Sequence, residues 1–205
     1  MEYPIIHKDI IQGSPEWQAF RLCKITASNF KTAMSKGTGR GKLQDALVEE
    51  YLMQKKKESY CSPDMIRGIE REEEARKHYE VVEGCKVEQI GFVQVSEYIG
   101  ASPDGCIVGK KRGLEIKCVI PSTHRKFLEG KKHVTDYHPQ IFGNMWAMGY
   151  DSWDFVSYCP ECVLIPYWRF RVERDETKIA EVDIKINKFA NELKVRIDKL
   201  TVPQF

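Results

Sequence analysis

The sequence predicts an α/β fold in which a mixed β-sheet lies between helices. Apolar residues repeat with a helical period near both ends of the 205-residue chain, and with a period of two between residues 87 and 120. Turns rich in Gly, Pro and Asp separate these segments. The chain is 42% hydrophobic and 30% charged, as in ordinary globular proteins. We therefore expect residues 1–205 to form a single domain with one well-buried core.

The first third of the chain predicts three helices. Ser14 is suited to cap a first helix with Pro15 at its first position. Residues 26–28 begin a second helix. The Gly-rich segment 35–42 lacks the Gly-Lys-Ser/Thr ending of a phosphate-binding loop, and we predict a mobile linker there. A third helix is expected over residues 43–57.

The remaining elements follow from the change of period along the chain. A strongly charged helix precedes the strands, and a long amphipathic helix ends the chain. The predicted elements are a helix over 64–83, three or four strands within 87–120, helices over 122–130 and 136–149, strands over 153–159 and 164–172, and a helix over 176–200.

Charge and hydropathy limit the possible partners. There are 32 Lys and Arg against 30 Asp and Glu, so any surface that attracts a polyanion must be local. No apolar run approaches the roughly 18 residues needed to span a bilayer. The first residues lack the basic start and apolar core of a secretory signal. These features predict a cytoplasmic protein that makes no contact with membranes.

Seven cysteines are scattered along the chain, and only Cys159 and Cys162 are separated by two residues. A zinc or iron–sulfur centre needs about two further ligands at suitable spacing. A turn that carries two free thiols is the default interpretation, and a metal or redox role is the alternative.

An acidic and basic cluster lies in the central strands. Asp104 stands in a Ser-Pro-Asp-Gly turn, where we expect it to end one strand, and a hairpin returns the chain to Glu115 and Lys117. Residues two apart in a strand point to the same face, roughly 7 Å apart along the chain. Two carboxylates brought together repel unless a cation lies between them, and Mg²⁺ prefers such oxygen ligands. The alternative is a surface hairpin with a weak ion pair, worth about 0–1 kcal/mol.

Four separated blocks resemble the YqaJ-type viral recombinase or phage lambda exonuclease family, within the PD-(D/E)xK nuclease superfamily. They are GSPEWQAFRLCKITAS at 13–28, RGIEREEEAR at 67–76, ASPDG with LEIKC within 101–118, and YHPQIFGNMWAMG at 137–149. They occur in the family's order and span residues 13–149, whereas residues 160–205 show little similarity to the family's motifs. The resemblance implies a restriction-endonuclease-like core.

The resemblance also implies a catalytic metal site. Asp104 and Glu115 would hold the ion together with the Ile116 backbone carbonyl, and Glu72 on the charged helix would lie near the metal. Lys117 would stand next to the attacking water. The implied cofactor is one or two Mg²⁺ ions, with Mn²⁺ as a substitute.

Further family positions map onto residues that would contact DNA. Gln140 would position water or the scissile phosphate. Arg21 and Ser28 match residues that take a terminal 5′-phosphate, and a guanidinium binds phosphate bidentately. Ser102 and Tyr137 lie where the family lines the site.

The implied function is a Mg²⁺-dependent 5′-to-3′ exonuclease that acts on double-stranded DNA ends and leaves a 3′ single-stranded tail. The family further implies a homo-oligomer in the form of a ring-shaped trimer, with a single-strand annealing protein as partner. Two alternatives remain open. One is a structure-specific or nicking endonuclease on the same core. The other is a DNA-repair nuclease with a metal centre at Cys159 and Cys162.

Overall fold

The computed structural model describes residues 4–56 and 62–201. The predicted α/β fold with flanking helices is confirmed, but the sequence does not predict the two strands that precede residue 87. The α-helices are α1 Pro15–Phe20, α2 Phe30–Met34, α3 Thr38–Met53, α4 Pro63–Glu83, α5 Pro121–Glu129, α6 His138–Met148 and α7 Glu176–Thr201. The strands are β1 Ile5–His7, β2 Ile25–Thr26, β3 Val87–Glu88, β4 Phe92–Gln94, β5 Ile99–Ala101, β6 Gly105–Ile107, β7 Arg112–Cys118, β8 Ser152–Tyr158 and β9 Tyr167–Glu173.

The strands form two sheets rather than one. The four-stranded sheet has the order β1-β4-β5-β2, and the five-stranded sheet has the order β3-β6-β7-β8-β9. Strand β7 pairs antiparallel with β6 but parallel with β8, so the larger sheet is mixed. The two sheets meet through residues 102–104, which join β5 to β6.

The two faces of β7 pack against different helices. Leu114 and Ile116 pack with Ala75 and Tyr79 of α4 in one apolar cluster. The alternate residues face α6, because side chains in a strand alternate between faces. Helix α7 packs a helical row of apolar residues into the main core, among them Ile179, Val182, Ile186, Phe189 and Leu193.

The predicted helix start at Ser14 is confirmed, since its side chain accepts a hydrogen bond from the Trp17 amide at 3.1 Å. The prediction of a mobile linker over 35–42 is wrong from residue 38 onwards, because α3 begins at Thr38. The guanidinium of Arg40 donates to the Ala33 carbonyl and pairs with Glu192 of α7. These contacts secure the first turn of α3 although it contains two glycines.

Helix α3 also ends earlier than predicted, at Met53, where Gln54 adopts a left-handed conformation (φ 49°). Lys57, the last residue of the predicted helix, lies outside the described residues. The predicted strand over 164–172 begins only at Tyr167. Within the described residues, no helix has the length and apolar character needed to cross a membrane.

Candidate active site

Asp104 lies immediately before β6, so the expectation that it ends the preceding strand is wrong. Strand β6 pairs with β7 only as far as Gly105 opposite Leu114. Beyond this point no strand of the described residues pairs with β7 on that side, and the Oδ2 atom of Asp104 accepts the Ile116 amide hydrogen at 2.7 Å. The Asp104 carboxylate thus accepts the hydrogen bond that a backbone carbonyl of a longer β6 would accept.

Glu115 is fully buried on the opposite face of β7 from Leu114. Its Oε1 atom accepts hydrogen bonds from Lys117 Nζ at 2.5 Å and from Gln140 Nε2 at 2.6 Å. Asn144, one turn further along α6, places Nδ2 at 3.4 Å from Oε2. The spacing of two residues predicts the proximity of Glu115 and Lys117, and the structure places Gln140 with them.

Glu72 lies on α4, close enough to Asp104 and Lys117 for their charges to act on it. Its carboxylate pairs with Arg76 at 2.9 Å, and its side chain is 27% exposed. Burial, reinforced by the negative charge of Asp104, raises the pKa of Glu72 to about 7. The structure therefore places Glu72 beside the residues of β7, and its role as a metal ligand stays a prediction.

The electrostatics of the site indicate an excess of buried negative charge. Burial raises the pKa of Glu115 to about 8, and the nearby Asp104 carboxylate adds to the increase. The pKa of Asp104 is also raised by burial, although Lys117 and the Ile116 amide oppose this. Burial alone would lower the pKa of Lys117, but the Glu115 and Asp104 carboxylates raise it.

The donor set of this site fits a hard divalent cation, because three carboxylates share a region that disfavours their negative charge. Within residues 4–56 and 62–201, no group of three or more Asp, Glu, His or Cys side chains has the arrangement of a complete metal site. Instead, the carboxylates accept hydrogen bonds from the protein. Asp104 accepts one from the Ile116 amide, and Glu115 accepts one from Lys117. A cation that binds here would have to compete with the Lys117 ammonium for Glu115.

A cavity of about 420 Å³ opens beside these residues. Glu72, Lys117 and Ile116 line it, together with Gly68 and Thr123. The cavity gives a substrate access to the amine and to the α4 carboxylate.

Tyr137 ends the 3-10 helix that precedes α6, and its ring lies 5.5 Å from Lys117 Nζ. The ring also packs against Phe155 of β8, at 4.9 Å between centroids. Tyr137 therefore forms an apolar wall beside the Lys117 amine, and its contact with DNA stays a prediction.

A second cluster, the Arg21 pocket, surrounds the Arg21 guanidinium with hydroxyl groups and an indole ring. The guanidinium reaches the hydroxyls of Ser102 at 3.2 Å and Thr26 at 3.3 Å, and it stacks on the Trp17 ring at 4.2 Å. The Ser28 hydroxyl lies 3.1 Å from that of Thr26. Three of the predicted residues, Arg21, Ser28 and Ser102, thus belong to one pocket.

The burial of Arg21 affects both its hydrogen bonding and its pKa. Its Nε is buried and has no hydrogen-bond partner in the described structure. Burial lowers the pKa of Arg21 to about 10, although the nearby carboxylate of Glu50 opposes the decrease. A phosphate in this pocket would supply the missing acceptor and the missing negative charge.

Three residues of these clusters were not predicted. Thr26 joins Arg21 to Ser28, and Trp17 donates its indole hydrogen to both Ser102 and the Gly91 carbonyl. Asn144 adds a second α6 contact to Glu115. The spacing of four residues from Gln140 to Asn144 on one helix face could have indicated Asn144.

Cys159 and Cys162 are adjacent, with 3.6 Å between their sulfur atoms. Among the residues that the structure describes, no third His, Cys, Asp or Glu completes a metal site with them. Cys61 lies outside the described residues. The described part of the chain thus gives no support to the metal-centre alternative.

Comparisons with known proteins agree with this geometry. A sequence profile of the YqaJ-like viral recombinase domain matches residues 16–151. The crystal structure of an alkaline exonuclease from Laribacter hongkongensis has a TM-score of 0.86 and 32% identity, covering 91% of this chain and 96% of that chain. The same exonuclease in complex with dAMP gives a TM-score of 0.85 and 33% identity over the same shares, 91% and 96%.

A phage-related exonuclease from Haemophilus somnus 129PT shares the fold, with a TM-score of 0.70 at 16% identity, covering 87% of this chain and 96% of that chain. A search of curated proteins found no match.

The mixed sheets flanked by helices, with Asp, Glu and Lys gathered at β6 and β7, define a protein of the restriction-endonuclease-like class. Within that class, the chain belongs to the YqaJ-like viral recombinase family, to which the lambda-type exonucleases are related.

Proposed function

We propose that the protein is a Mg²⁺-dependent exonuclease that degrades double-stranded DNA from 5′-phosphorylated ends, in the 5′-to-3′ direction. The observation that carries this proposal is the short link between the two clusters. Ser102 belongs to the Arg21 pocket, and Asp104, two residues later, belongs to the carboxylate site. A bound terminal phosphate would therefore lie a fixed, short distance from the residues that cleave the chain.

Asp104, Glu115 and Glu72, with the Ile116 carbonyl, are the proposed ligands of one or two Mg²⁺ ions, which Mn²⁺ could replace. When bound, the metal supplies an activated water and stabilises the charge on the leaving oxygen. The chemistry of the carboxylates supports this assignment, since a divalent cation would offset both the burial and the repulsion from Asp104 that raise the pKa of Glu115 to about 8.

Lys117 is the proposed partner of the attacking water and of the negative charge on the phosphoryl oxygens in the transition state. Its ammonium is charged because the neighbouring carboxylates raise its pKa. Gln140 holds the Glu115 carboxylate through a hydrogen bond of 2.6 Å, and it is the proposed residue that positions the water or the scissile phosphate. Tyr137 shields the Lys117 amine from one side.

Arg21, Ser28 and Ser102 are the proposed receptors of the 5′-phosphate, to which the structure adds Thr26 as a further hydroxyl. Cleavage at a fixed distance from this pocket would release mononucleotides. The complex of the Laribacter hongkongensis exonuclease with dAMP, a mononucleotide, supports this product class.

Family membership also supports two proposals on assembly. The protein would form a homo-oligomer, in the form of a ring-shaped trimer around DNA, and it would act with a single-strand annealing protein in recombination. Sedimentation of the purified chain at several concentrations tests the first proposal, and a species of single-chain mass throughout would contradict it.

The direct test uses duplexes labelled at one end, with either a 5′-phosphate or a 5′-hydroxyl, and a covalently closed circle as control. We expect mononucleotides from the phosphorylated linear duplex, slow release from the hydroxyl form, and no cleavage of the circle. Addition of a chelator should abolish the reaction, and Mg²⁺ should restore it. Cleavage of the circle would instead identify a nicking endonuclease.

A further inference from the structure

The hairpin between β8 and β9 contains two thiols that no step of the proposed nuclease reaction uses. Cys159 is completely buried, and Cys162 is half-buried. Their sulfur atoms lie 3.6 Å apart. We propose that Cys159 and Cys162 form a reversible intramolecular disulfide, and hence a site of redox modification, when the protein meets an oxidant of the disulfide class.

The backbone of the hairpin is already suited to this bond. The Cys162 amide donates to the Cys159 carbonyl at 2.9 Å, which closes a turn of four residues. Such a turn keeps its first and last Cα atoms within about 7 Å. A disulfide requires Cα atoms roughly 4.4–6.8 Å apart, so the bond can form with little movement of the backbone.

Contacts on both sides fix the hairpin in this shape. The Cys159 amide donates to the Pro166 carbonyl at 2.8 Å. Buried His124 bonds the Ile165 carbonyl through Nε2 at 2.8 Å and Ser157 Oγ through Nδ1 at 2.7 Å. Because a carbonyl only accepts, Nε2 carries a hydrogen and donates it to Ile165.

Glu161, between the two cysteines, adds a tie to the helix that carries Glu72. Its carboxylate pairs with Arg71 of α4 at 2.5 Å and lies 3.4 Å from Cys159 Sγ. These contacts hold the backbone of the turn in place, so the two thiols stay adjacent in the reduced protein. None of the contacts uses Cys162 Sγ.

The two thiols have different roles in the exchange. Burial, with hydrogen bonds to Cys162 and Glu161, raises the pKa of Cys159 to about 12, so this thiol stays protonated at neutral pH. Cys162 is the more accessible of the two and stands next to the exposed apolar residues Val163 and Leu164. Cys162 is therefore the attacking group and Cys159 the resolving group.

With oxidised glutathione as the oxidant, the disulfide forms in two thiol–disulfide exchange reactions. The Cys162 thiolate attacks one glutathione sulfur, forms a mixed disulfide, and releases the other glutathione as a thiolate. The Cys159 thiol then loses its proton and attacks Cys162 Sγ, which releases the second glutathione. Two protein thiols are oxidised, and one glutathione disulfide is reduced to two thiols.

The other cysteines that the structure describes offer internal controls. Cys85 and Cys118 are half-buried like Cys162, but no thiol–thiol contact joins either of them to another described cysteine. Cys85→Ser is thus the matched control, because it removes a thiol of similar exposure from a different part of the molecule.

The experiment incubates the folded chain with oxidised glutathione and then unfolds it in excess N-ethylmaleimide, so that every remaining free thiol is labelled. Intact mass and peptide mapping then identify the modified positions. We expect two fewer labelled thiols, a disulfide between residues 159 and 162, and full recovery of both thiols after treatment with dithiothreitol. Cys85→Ser should behave in the same way at residues 159 and 162.

Cys159→Ser should accumulate a glutathione adduct at Cys162, because the resolving thiol is gone. Cys162→Ser should keep Cys159 free to react with the label after unfolding. The proposal is overturned if wild type retains both thiols, or if it keeps glutathione on Cys162. Pairing of Cys159 with another cysteine would equally contradict it. These outcomes do not depend on nuclease activity, so the proposed function can fail or hold separately.

Discussion

The Nζ atom of Lys117 lies 2.5 Å from Oε1 of Glu115, two residues earlier in the same strand. The carboxylate is fully buried, whereas the lysine side chain keeps 27% of its surface exposed toward the adjoining cavity. The amine thus connects a buried acidic site with the space that a substrate would enter.

Replacement of Lys117 should abolish cleavage but not DNA binding. We expect Lys117→Ala to lower the rate with Mg²⁺ at least about 100-fold, since a positioned proton-transfer group contributes about 10²–10⁴-fold. Single-turnover cleavage of a phosphorylated duplex measures the effect, and a binding assay without metal measures affinity. Lys110→Ala, at the exposed turn of the β6–β7 hairpin, is the control for charge alone. Wild-type turnover by Lys117→Ala would refute the site.

Substitution of Arg21 should affect the choice of DNA end. Arg21→Lys retains the positive charge, but an ammonium lacks the planar, forked donors of a guanidinium. It therefore cannot bond the Thr26 and Ser102 hydroxyls together while it also stacks on the Trp17 ring. We expect the ratio of rates on 5′-phosphate and 5′-hydroxyl ends to fall toward unity. Lys8→Ala, in an exposed ion pair with Glu88, should leave this ratio unchanged. An equal loss on both ends would contradict the pocket assignment.

Asn144 should act by positioning Glu115. Its Nδ2 faces Glu115, while its buried Oδ1 has no hydrogen-bond partner in the described structure. We expect Asn144→Leu to lower kcat about 10-fold without a change in KM, because the carboxylate loses one of its donors.

The same variant should unfold no more readily than wild type, since it also removes an unsatisfied buried acceptor. Thermal unfolding measured alongside the kinetics separates a local effect from general damage. A large drop in Tm would show that Asn144 is mainly structural.

The buried carboxylate of Asp154 should make stability depend on acidic pH. Burial alone would raise its pKa, but hydrogen bonds from Arg171 and Tyr79 hold it below the ordinary value. This stabilising contribution is complete above the unfolded pKa of about 3.9 and is lost as the pH falls through the lower folded pKa. The free energy of unfolding of wild type should therefore fall steeply below about pH 4.

Asp154→Asn should lower the free energy of unfolding at pH 7 by about 2–3 kcal/mol, somewhat less than for a fully buried pair because Arg171 is partly exposed. Its stability should depend less on pH in the acidic range. Asp136→Asn removes a solvent-exposed pair with Lys31 and should leave unfolding unchanged at moderate salt. Denaturant titrations at several pH values give all three curves.

Two glycines should respond oppositely to alanine. A Cβ at Gly113 of β7 would lie 2.2 Å from the Trp153 ring, so Gly113→Ala should cost about 1–3 kcal/mol of stability. A Cβ at Gly68 of α4 would meet only the Cys118 carbonyl at 3.5 Å. Gly68→Ala should therefore preserve or raise stability, by up to about 1 kcal/mol, because alanine favours the helix. Equal losses in urea titration would contradict this packing.

The sequence predicts the local structure well where local physics decides it. The cap at Ser14, the charged helix α4 and the period of two in β7 all follow from residues close together in the chain. The neighbours of the site are less predictable, since Thr26 and Trp17 gain their roles only through contact with the distant Ser102 and Gly91. Gly-rich sequence likewise misled the interpretation of α3, whose first turn depends on Glu192.

The α-helices of the described structure, and the placement of Glu115 beside Lys117, are determined by sequence alone because they depend on backbone period and short-range preference, whereas the two short strands before residue 87 are not predicted. Only the tertiary structure decides that Asp104 substitutes for a missing strand partner, that α6 delivers Gln140 and Asn144 to Glu115, and that Arg21 lies in a pocket of hydroxyls. These contacts join segments remote in the chain, and their geometry is fixed by how the two sheets and the helices pack together.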